Sequence, residues 1–488
     1  MRLVLVMITG AALILVGVVL FRTATITSRQ ITVEPVTPIH VDMRQAAKRL
    51  ADAIRYKTVS YQDHAKRDGT EFLRFHQYLE QAFPRVHATL TREVVNDYSL
   101  LYTWKGSSKA LNPIVLIAHM DVVPAEAGKE GDWTYPPFDG RIADGYIWGR
   151  GTLDVKLAMT ASLEAIERLI EREFRPRRTV YLAFGHDEEI GGRNGAAKIA
   201  SLLEERGVRV AFTLDEGSAI VNGVVPGVKR PVALIGLAEK GYLTLELTAT
   251  GEGGHSSKPR HPTAIGKLAR AIHRLETKLM PADLRQPAAG IFENLASEMR
   301  FGMRAVVANR WLFESILLSR LERSPATNAV IRTTTAPTLL PESGTKVNVI
   351  PRRAKAMVNF RILPGDTVQG VKDQVNQIIN DADVKVTQHD HSVEASPVSD
   401  QESPAFQTLH RTIRQVFPDT VVAPSLVIAG TDSKHYEQIA ENSFRFIPMR
   451  LEKEDLKRIH GRDERISIEN YGEIIRFYVQ LLRNTAAE

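Results

Sequence analysis

Acidic and histidine side chains that could bind metal ions follow several apolar segments of this sequence. In LIAHMDVVP (residues 116–124), His119 and Asp121 are two residues apart, and on a strand this spacing points both side chains to the same side. The carboxylate could then accept the imidazole N–H and fix which ring nitrogen faces a metal ion. Considered alone, however, the motif is better explained by a structural His–Asp pair.

Three further acidic motifs have the same ambiguity. Asp154 lies near the end of the segment 136–156, at the start of a predicted helix, where an aspartate is most often an N-cap. Glu188 and Glu189 lie in AFGHDEEIGG (183–192), where burying successive acids requires a compensating cation, although a solvated acidic turn is the alternative. Asp215 in TLDEG (213–217) follows the next apolar strand in the same way.

The elements that must position these residues alternate between strand and helix. Strands are predicted at 113–118, 179–184, 210–214 and 444–449, and helices at 155–171 and 195–206. This pattern indicates an α/β domain with a mainly parallel central sheet, and such sheets bind ligands at the carboxyl ends of their strands. Along that edge the sequence predicts a set of ligands for two metal ions with one spare acid, namely His119, Asp154, Glu188, Glu189 and Asp215.

A second, smaller domain is predicted within the first. From about residue 240 the elements follow a β-α-β-β-α-β order, which indicates an inserted α+β, ferredoxin-like domain. We expect it at 239–393, between catalytic segments 43–238 and 394–488, with an extra apolar segment at 280–327. Packing in the core explains the apolar stripe at 311–321 within that segment. The alternatives are that the segment forms a groove for an acyl chain or contacts a membrane.

Composition limits the chemistry. The 488 residues are 43% hydrophobic and 25% charged, which is ordinary for globular proteins and excludes collagen-like, disordered and coiled-coil chains. The net charge of +6 is small for this length and does not favour nucleic acid as a partner. Because the chain has no cysteine, any metal ion must be bound by histidine, aspartate and glutamate.

The amino-terminal residues predict a membrane anchor. Residues 3–21 are uncharged and flanked by Arg2 and Arg22, a run long enough to cross about 30 Å of hydrocarbon. A cleaved signal peptide is the alternative, but the length of the run and the lack of a clear A-x-A site favour an uncleaved anchor. We therefore expect an anchor or signal at 1–28, a spacer at 29–42 and the catalytic part on the non-cytoplasmic side, secreted if the segment is cleaved.

The motifs HMDVVP, GRGTLDVK, DEEIGG, LDEG, GGHSS, NVIP and RIHGRDE resemble, in order and spacing, those of the di-zinc metallopeptidase family of carboxypeptidase S, the aminoacylases and succinyl-diaminopimelate desuccinylase. The resemblance is closest to carboxypeptidase S and the secreted N-fatty-acyl-amino-acid synthase/hydrolase. It implies one zinc bound by His119, Asp154 and Asp215, and a second bound by Asp154, Glu189 and His460. Cobalt or manganese suits the same ligands.

The resemblance also implies the catalytic roles. Glu188 matches the family's general base, and Asp121 matches the residue that orients His119. His255 resembles a histidine of the inserted lid domain that donates a hydrogen bond to the tetrahedral oxyanion.

Four positions match groups of the family that contact the substrate. Asn348 and Arg361 match groups that hold the free carboxylate of the substrate, and an arginine can bind a carboxylate with two parallel hydrogen bonds. Gly430 and Thr431 resemble a loop that contacts the substrate.

The implied reaction is metal-dependent hydrolysis of the amide bond on the amino side of a free amino-acid carboxylate. Short peptides and N-acyl or N-fatty-acyl amino acids both remain as substrates, and in the second case the reaction can also run towards synthesis. A catalytically silent binding protein would be expected to lack a ligand or the base, and none is missing. The resemblance allows either a monomer or a homodimer formed through the lid domain.

Overall fold

The large domain is built on one sheet with helices on both faces. The computed structural model describes residues 1–125 and 132–486. Within these residues the helices are α1 (Arg2–Ala24), α2 (Met43–Ile54), α3 (Gly69–Ala82), α4 (Pro84–Thr89), α5 (Lys156–Glu171), α6 (Ala196–Glu205), α7 (Ala264–Thr277), α8 (Ala288–Leu295), α9 (Phe301–Ala308), α10 (Arg310–Leu321), α11 (Pro325–Ala329), α12 (Val368–Ile379), α13 (Pro404–Val416) and α14 (Ile468–Ala486).

The strands predicted at 113–118 and 179–184 form at nearly their full length, and the one predicted at 210–214 begins at Phe212. The strands of the described residues are β1 (Thr91–Val95), β2 (Ser99–Trp104), β3 (Ile114–His119), β4 (Arg141–Ala143), β5 (Tyr146–Trp148), β6 (Val180–Gly185), β7 (Phe212–Asp215), β8 (Ile220–Val221), β9 (Val232–Glu239), β10 (Gly241–Thr250), β11 (Gly254–His255), β12 (Thr334–Glu342), β13 (Val349–Ile350), β14 (Arg353–Ile362), β15 (Val384–Gln388), β16 (Val421–Val427), β17 (Ser443–Arg445), β18 (Arg450–Leu451) and β19 (Arg465–Ser467).

The large sheet has ten strands in the order β1-β2-β6-β3-β7-β17-β9-β8-β18, with β16 also paired to β9. Strands β6, β3, β7 and β17 run parallel to one another. Antiparallel pairs extend the sheet on both sides of this centre. The α/β prediction is therefore confirmed, with a sheet that is parallel in its centre and mixed as a whole.

Strand β3 illustrates why the centre of the sheet is fully covered. All its side chains are buried, and they alternate between the two faces. Leu116 and Ala118 join the core that includes α5 and α14, whereas Val115 and Ile117 join the core that includes α6. The helices on both faces leave the carboxyl ends of the strands as the open edge where polar residues can gather.

The strand predicted at 444–449 forms only in its first part. β17 ends at Arg445, and Phe446 and Ile447 remain buried without continuing the strand. Their backbone N–H groups donate instead to the carbonyls of Asp215 and Ser218, so this segment wraps around the end of β7.

The predicted smaller α+β unit forms a separate antiparallel sheet in the order β12-β14-β10-β15. Leu243, Leu245 and Leu247 of β10 alternate towards a core that also contains side chains of α7 and α12. The unit follows the predicted β-α-β-β-α-β order, and we call it the lid. A separate two-stranded pair, β11 and β13, lies between its elements in the chain.

The extra apolar segment packs differently from the expectation that it belongs to the inserted domain. Leu284, Phe292 and Leu295 share a core with Val421 and Ala423 of β16, which is part of the large sheet. Helix α8 lies against β16. The boundaries 239–393 stay a prediction, but residues 284–331 pack against the large domain.

Helix α1 is long and apolar enough to cross a membrane. Nearly all its side chains are exposed, and Thr23 near its end is buried against the protein.

Candidate metal centre

His119 ends β3 with a buried side chain whose two ring nitrogens have different partners. Nδ1 donates to the backbone carbonyl of Asp121 at 2.9 Å and lies 3.4 Å from the carboxylate of the same residue. The Asp121 carboxylate also accepts the backbone N–H groups of Glu188 and Glu189, each at 3.2 Å. Asp121 therefore fixes the orientation of His119 and of the acidic turn together.

Asp154, just before α5, lies between two histidines. Its Oδ1 is 3.0 Å from His119 Nε2, and its Oδ2 is 2.8 Å from His460 Nε2. Burial alone would raise the pKa of Asp154, but the hydrogen bonds from His119 and His460 outweigh burial and hold that pKa well below its usual range. A carboxylate that offers one oxygen to each of two imidazoles is placed to bridge two metal ions.

The acidic turn after β6 supplies Glu188 and Glu189. Glu189 Oε2 is 3.2 Å from His460 Nε2, while its buried Oε1 has no hydrogen-bond partner within the described residues. His460 itself has a φ of 58°, a left-handed backbone conformation that is strained for a histidine. Such strain is typical of functional sites, where the surrounding structure holds a side chain in place.

The structure places Glu216, and not Asp215, next to His119. Glu216 Oε1 is 3.1 Å from His119 Nε2. Asp215 still belongs to β7, and its two carboxylate oxygens accept the backbone N–H groups of Glu216 at 2.9 Å and Ser433 at 2.7 Å. Each oxygen of Asp215 thus accepts a backbone N–H group, while Glu216 makes the hydrogen bond to His119, and the role of Asp215 as a metal ligand stays a prediction.

The side chains of His119, Asp154, Glu188, Glu189, Glu216 and His460 form what we call the acid–histidine cluster. Ligand atoms of His119, Asp154 and Glu189 lie within 4.8 Å of one another, as do those of His119, Glu188 and Glu216. The motif LDEG contained the signal for Glu216, because it offers two adjacent acids at the end of a strand.

The pKa values within the cluster show how crowded its charges are. Burial, and then the charge of Asp154, raises the pKa of Glu216 to about 8. Burial, and then the charges of Glu216 and Asp432, raises the pKa of Glu188 well above its usual range. Hydrogen bonds to Asp154 and Glu189 raise the pKa of His460 to about 10. The cluster therefore concentrates buried negative charge, which divalent cations would offset in the smallest volume.

Glu464 is a buried residue that sequence reasoning missed. Its Oε1 accepts the backbone N–H groups of Gly151, Leu153 and Asp154, and its Oε2 accepts from Arg150 at 2.6 Å. The only signal in the sequence was its place four residues after His460 in RIHGRDE.

The lid residues predicted to contact substrate lie apart from the cluster. His255 is exposed on β11 and bonds to Ser257 at 2.8 Å, and β11 pairs with β13, which directly follows Asn348. The Arg361 guanidinium lies over the ring of Tyr242 at 5.0 Å. Within residues 1–125 and 132–486, no hydrogen bond or ion pair joins His255, Asn348 or Arg361 to the cluster.

The loop that carries Gly430 and Thr431 does approach the cluster. The backbone N–H and the hydroxyl of Thr431 both donate to Glu239 Oε2 at 2.9 Å. Two residues later, Ser433 donates its backbone N–H to Asp215. This loop therefore connects the end of β7 with Glu239, the last residue of β9.

The donor set of the cluster fits a metal ion of borderline softness. Imidazole and carboxylate ligands are those that zinc binds in catalytic sites, and Glu189 Oε1, which has no hydrogen-bond partner in the described part of the chain, is available as a ligand atom. The cluster is thus a candidate site for metal ions.

Similar proteins support this interpretation. The probable carboxypeptidase S-like 2 of Dictyostelium discoideum is 43% identical over 485 residues, which cover 97% of this chain and 93% of the relative. The N-fatty-acyl-amino acid synthase/hydrolase PM20D1 of Xenopus tropicalis is 43% identical over 91% of this chain and 86% of its own length. The M20 family metallo-carboxypeptidase Sso-CP2 from Sulfolobus solfataricus has the same fold, with a TM-score of 0.62 over 91% of this chain and 99% of that chain at 18% identity.

The sequence profile of peptidase family M20/M25/M40 matches residues 115–484, a range that begins in β3 and includes every residue of the cluster. This match and the relatives confirm the resemblance that the motifs carry, and the complete set of acids and histidines supports hydrolytic activity. The chain belongs to peptidase family M20/M25/M40 and is an enzyme of the metallopeptidase type.

Proposed function

We propose that the chain is a di-zinc hydrolase that cleaves the amide bond on the amino side of a free amino-acid carboxylate. The observation that carries this proposal is the position of Asp154. It offers separate oxygens to His119 at 3.0 Å and to His460 at 2.8 Å, so that each histidine belongs to a different half of the cluster. A single carboxylate shared by two metal ions is the arrangement of two-metal hydrolases.

His119, Asp154 and Glu216 would bind one zinc ion, and Asp154, Glu189 and His460 would bind the other. Glu216 takes the place that the resemblance suggested for Asp215, because both oxygens of Asp215 accept backbone N–H groups. Cobalt and manganese are alternatives with the same ligand types. When bound, the ions polarise the amide carbonyl and lower the pKa of water.

Glu188 acts as the general base in this proposal. Its backbone N–H is held by Asp121, so the residue that orients His119 also orients the turn that carries the base. The Glu188 carboxylate takes the proton of the attacking water and transfers it to the nitrogen of the leaving amine. Proton transfer by a positioned group typically accelerates such a step by about 10² to 10⁴.

The lid supplies the groups that recognise the substrate. Arg361 and Asn348 bind its free carboxylate, and His255 donates a hydrogen bond to the oxyanion. His255 is exposed, so this role requires either closure of the lid or a homodimer in which the partner supplies the equivalent side chain. The names of the relatives support both a carboxypeptidase S-like peptidase and, as the second candidate, an N-fatty-acyl-amino acid hydrolase or synthase.

For location, we propose that α1 is a membrane anchor and that the catalytic part lies on the non-cytoplasmic side. The length and exposed apolar surface of α1 support an anchor. A cleaved signal, which would give a secreted enzyme, is the alternative.

Hydrolysis of a matched substrate panel by the full chain tests the proposal. The chain in detergent with zinc receives a blocked dipeptide of the Gly-Leu type, N-acetyl-leucine and N-oleoyl-phenylalanine. Preference for the dipeptide would support a carboxypeptidase, and preference for the oleoyl compound would support the second candidate.

Glu188→Gln is the decisive variant in this experiment. We expect loss of turnover with unchanged zinc content, whereas Glu205→Gln, which changes an exposed glutamate of α6, should behave like the wild type. Absence of turnover by the wild type on all three compounds would instead support a binding protein.

A further inference from the structure

Apolar side chains are exposed along one side of the extra helical segment. Phe301 in α9 is 59% exposed, and in α10 Trp311, Leu312 and Ile316 are 56%, 38% and 52% exposed. The three α10 residues lie on one side of the helix, whereas Leu317 and Leu321 on another side are buried in the core. Large apolar side chains exposed on these two contacting helices indicate a contact surface, which we call the α9–α10 face.

This face adjoins the end of α1. Asn309, the residue between α9 and α10, has its Nδ2 3.3 Å from both the Val19 carbonyl and the Thr23 hydroxyl. Arg22 Nε donates to the carbonyl of Ala308, also at 3.3 Å. The junction of α9 and α10 is therefore fixed beside the last turns of α1.

The spacer that follows α1 is tied to the large domain as well. The Gln30 side chain donates to the Val422 carbonyl at 2.8 Å and accepts the Val422 backbone N–H at 2.7 Å. It also donates to the carbonyl of Asn294, at the end of α8. These bonds restrain α1 against the domain on both sides of its carboxyl end.

The contact at Val19 fixes the depth of the α9–α10 face. Val19 lies inside the uncharged run 3–21, about 3 Å along the helix axis from the end of that run. If α1 crosses a bilayer, the α9–α10 junction therefore lies at the boundary between hydrocarbon and headgroups.

The charges of the segment suit that boundary. Residues 300–323 contain five arginines and two glutamates, and Arg300, Arg320 and Arg323 are exposed. Arg22 and Arg29 line a cleft of about 410 Å³ at the end of α1, together with Glu293, whose carboxylate lies 3.6 Å from the Arg29 guanidinium. Apolar side chains bordered by arginines are typical of helices that lie in the interface of a membrane with anionic lipids.

We propose that the α9–α10 face rests on the bilayer that α1 spans, with Trp311 and Ile316 inserted at the headgroup boundary. The inference rests on the proposed anchorage of α1, and it is independent of the proposed chemistry. Such contact at a second point would hold the large domain in one orientation relative to the membrane.

Quenching of tryptophan fluorescence by brominated lipid tests the proposal. The full chain is reconstituted into vesicles of phosphatidylcholine and phosphatidylglycerol, with or without brominated phosphatidylcholine. Trp311 is exposed, whereas Trp104 and Trp148 are buried and Trp133 is half-buried in the large domain. We expect brominated lipid to quench the wild type and Trp133→Phe, and most of that quenching to be lost in Trp311→Phe.

Charge insertion supplies a matched comparison. Ile316→Glu should reduce the quenching of Trp311, whereas Leu73→Glu, at an exposed apolar position of α3, should leave it unchanged. Equal quenching in the wild type and Trp311→Phe would overturn the proposal. Absence of quenching in the wild type, together with crosslinking between the α9–α10 faces of two chains, would also overturn it, because a second copy of the chain would then cover the face.

Phe21→Trp in the Trp311→Phe background separates the two parts of the inference. Quenching of the tryptophan at position 21 would show that α1 lies in the bilayer. If Trp311 of the wild type were not quenched in the same vesicles, α1 would be an anchor without a second membrane contact. Absence of quenching at both positions would overturn the anchor and the contact together. Turnover of the substrate panel by the same preparations reports on the proposed chemistry separately.

Discussion

The Glu464 carboxylate accepts the backbone N–H of Asp154 at 3.2 Å. The segment that carries His460 therefore also holds the backbone of Asp154, whose side chain lies between the two histidines. Glu464 Oε1 lies within 3.2 Å of three backbone nitrogens, and its other oxygen pairs with Arg150. Two distant parts of the chain thereby act as one support for the acid–histidine cluster.

Replacing Glu464 by glutamine should destabilise the enzyme and weaken its metal binding. The substitution leaves the buried Arg150 without its carboxylate, and breaking a buried ion pair in this way costs on the order of 3 kcal/mol. Urea unfolding and zinc titration measure the two effects. Glu469→Gln, at an exposed site on α14, is the control, and equal stability of both variants would contradict the supporting role of Glu464.

Glu216→Gln and Asp215→Asn distinguish the two candidate ligands. Glu216 lies 3.1 Å from His119 Nε2, whereas Asp215 is bonded to the backbone. We therefore expect Glu216→Gln to lower the zinc content measured by elemental analysis, and Asp215→Asn to retain zinc. The reverse result would restore Asp215 as the ligand.

Asp121→Asn should lower both turnover and metal affinity. The amide keeps the size of the side chain but removes the negative charge that faces His119 and the N–H groups of Glu188 and Glu189. Loss of such a supporting carboxylate typically costs about 10- to 100-fold. Steady-state kinetics measure the turnover, and zinc competition assays measure the metal affinity. Wild-type values for turnover and affinity would show that Asp121 has no orienting role.

The buried ring of His410 should make the free energy of unfolding fall at acidic pH. Burial, and then the charge of Arg414, lowers its pKa from 6.5 to about 4, so the folded chain keeps the ring neutral. Between pH 6.5 and 4 the unfolded chain binds a proton that the folded chain does not, and the free energy of unfolding falls by about 3 kcal/mol as the pH falls through this window.

Unfolding of His410→Leu across this pH range checks the prediction. The ring packs near Phe406, and its buried Nε2 has no hydrogen-bond partner among the described residues, so leucine suits the site. The variant should depend less on pH than the wild type, and His273→Leu at an exposed site of α7 should match the wild type. Parallel pH profiles for the wild type and His410→Leu would refute this role.

His119, Asp154, Glu188 and Glu189 were predicted from the sequence because they follow buried strands or begin a helix, whereas His460 was indicated only by the family resemblance. His119 and Glu189 come at the ends of β3 and β6, and the parallel pairing of these strands brings their ends to one edge. The choice between Asp215 and Glu216 was not predictable in this way. It depends on whether the strand ends before or after Asp215, and adjacent residues at a strand end point in different directions.

The extra segment shows a second limit. Its apolar residues predicted burial, but Leu284 and Phe292 could have packed against either sheet, because hydrophobicity carries no information about the partner. Likewise, the motifs that contain His255 and Arg361 do not specify how far the lid lies from the cluster. This distance depends on the connections between the two domains.

Glu239 lies at one of those connections, where β9 ends and the lid begins, and it accepts both hydrogen bonds from Thr431. The returning chain is joined to it too, because Ser396 Oγ accepts the Glu239 backbone N–H and the Ser396 N–H donates to the Glu239 carbonyl. A swing of the lid about this point would pull on the loop that holds Asp215. Closure of the lid over a substrate and assembly of the catalytic geometry would then occur together, and the enzyme without substrate would remain in a less reactive conformation.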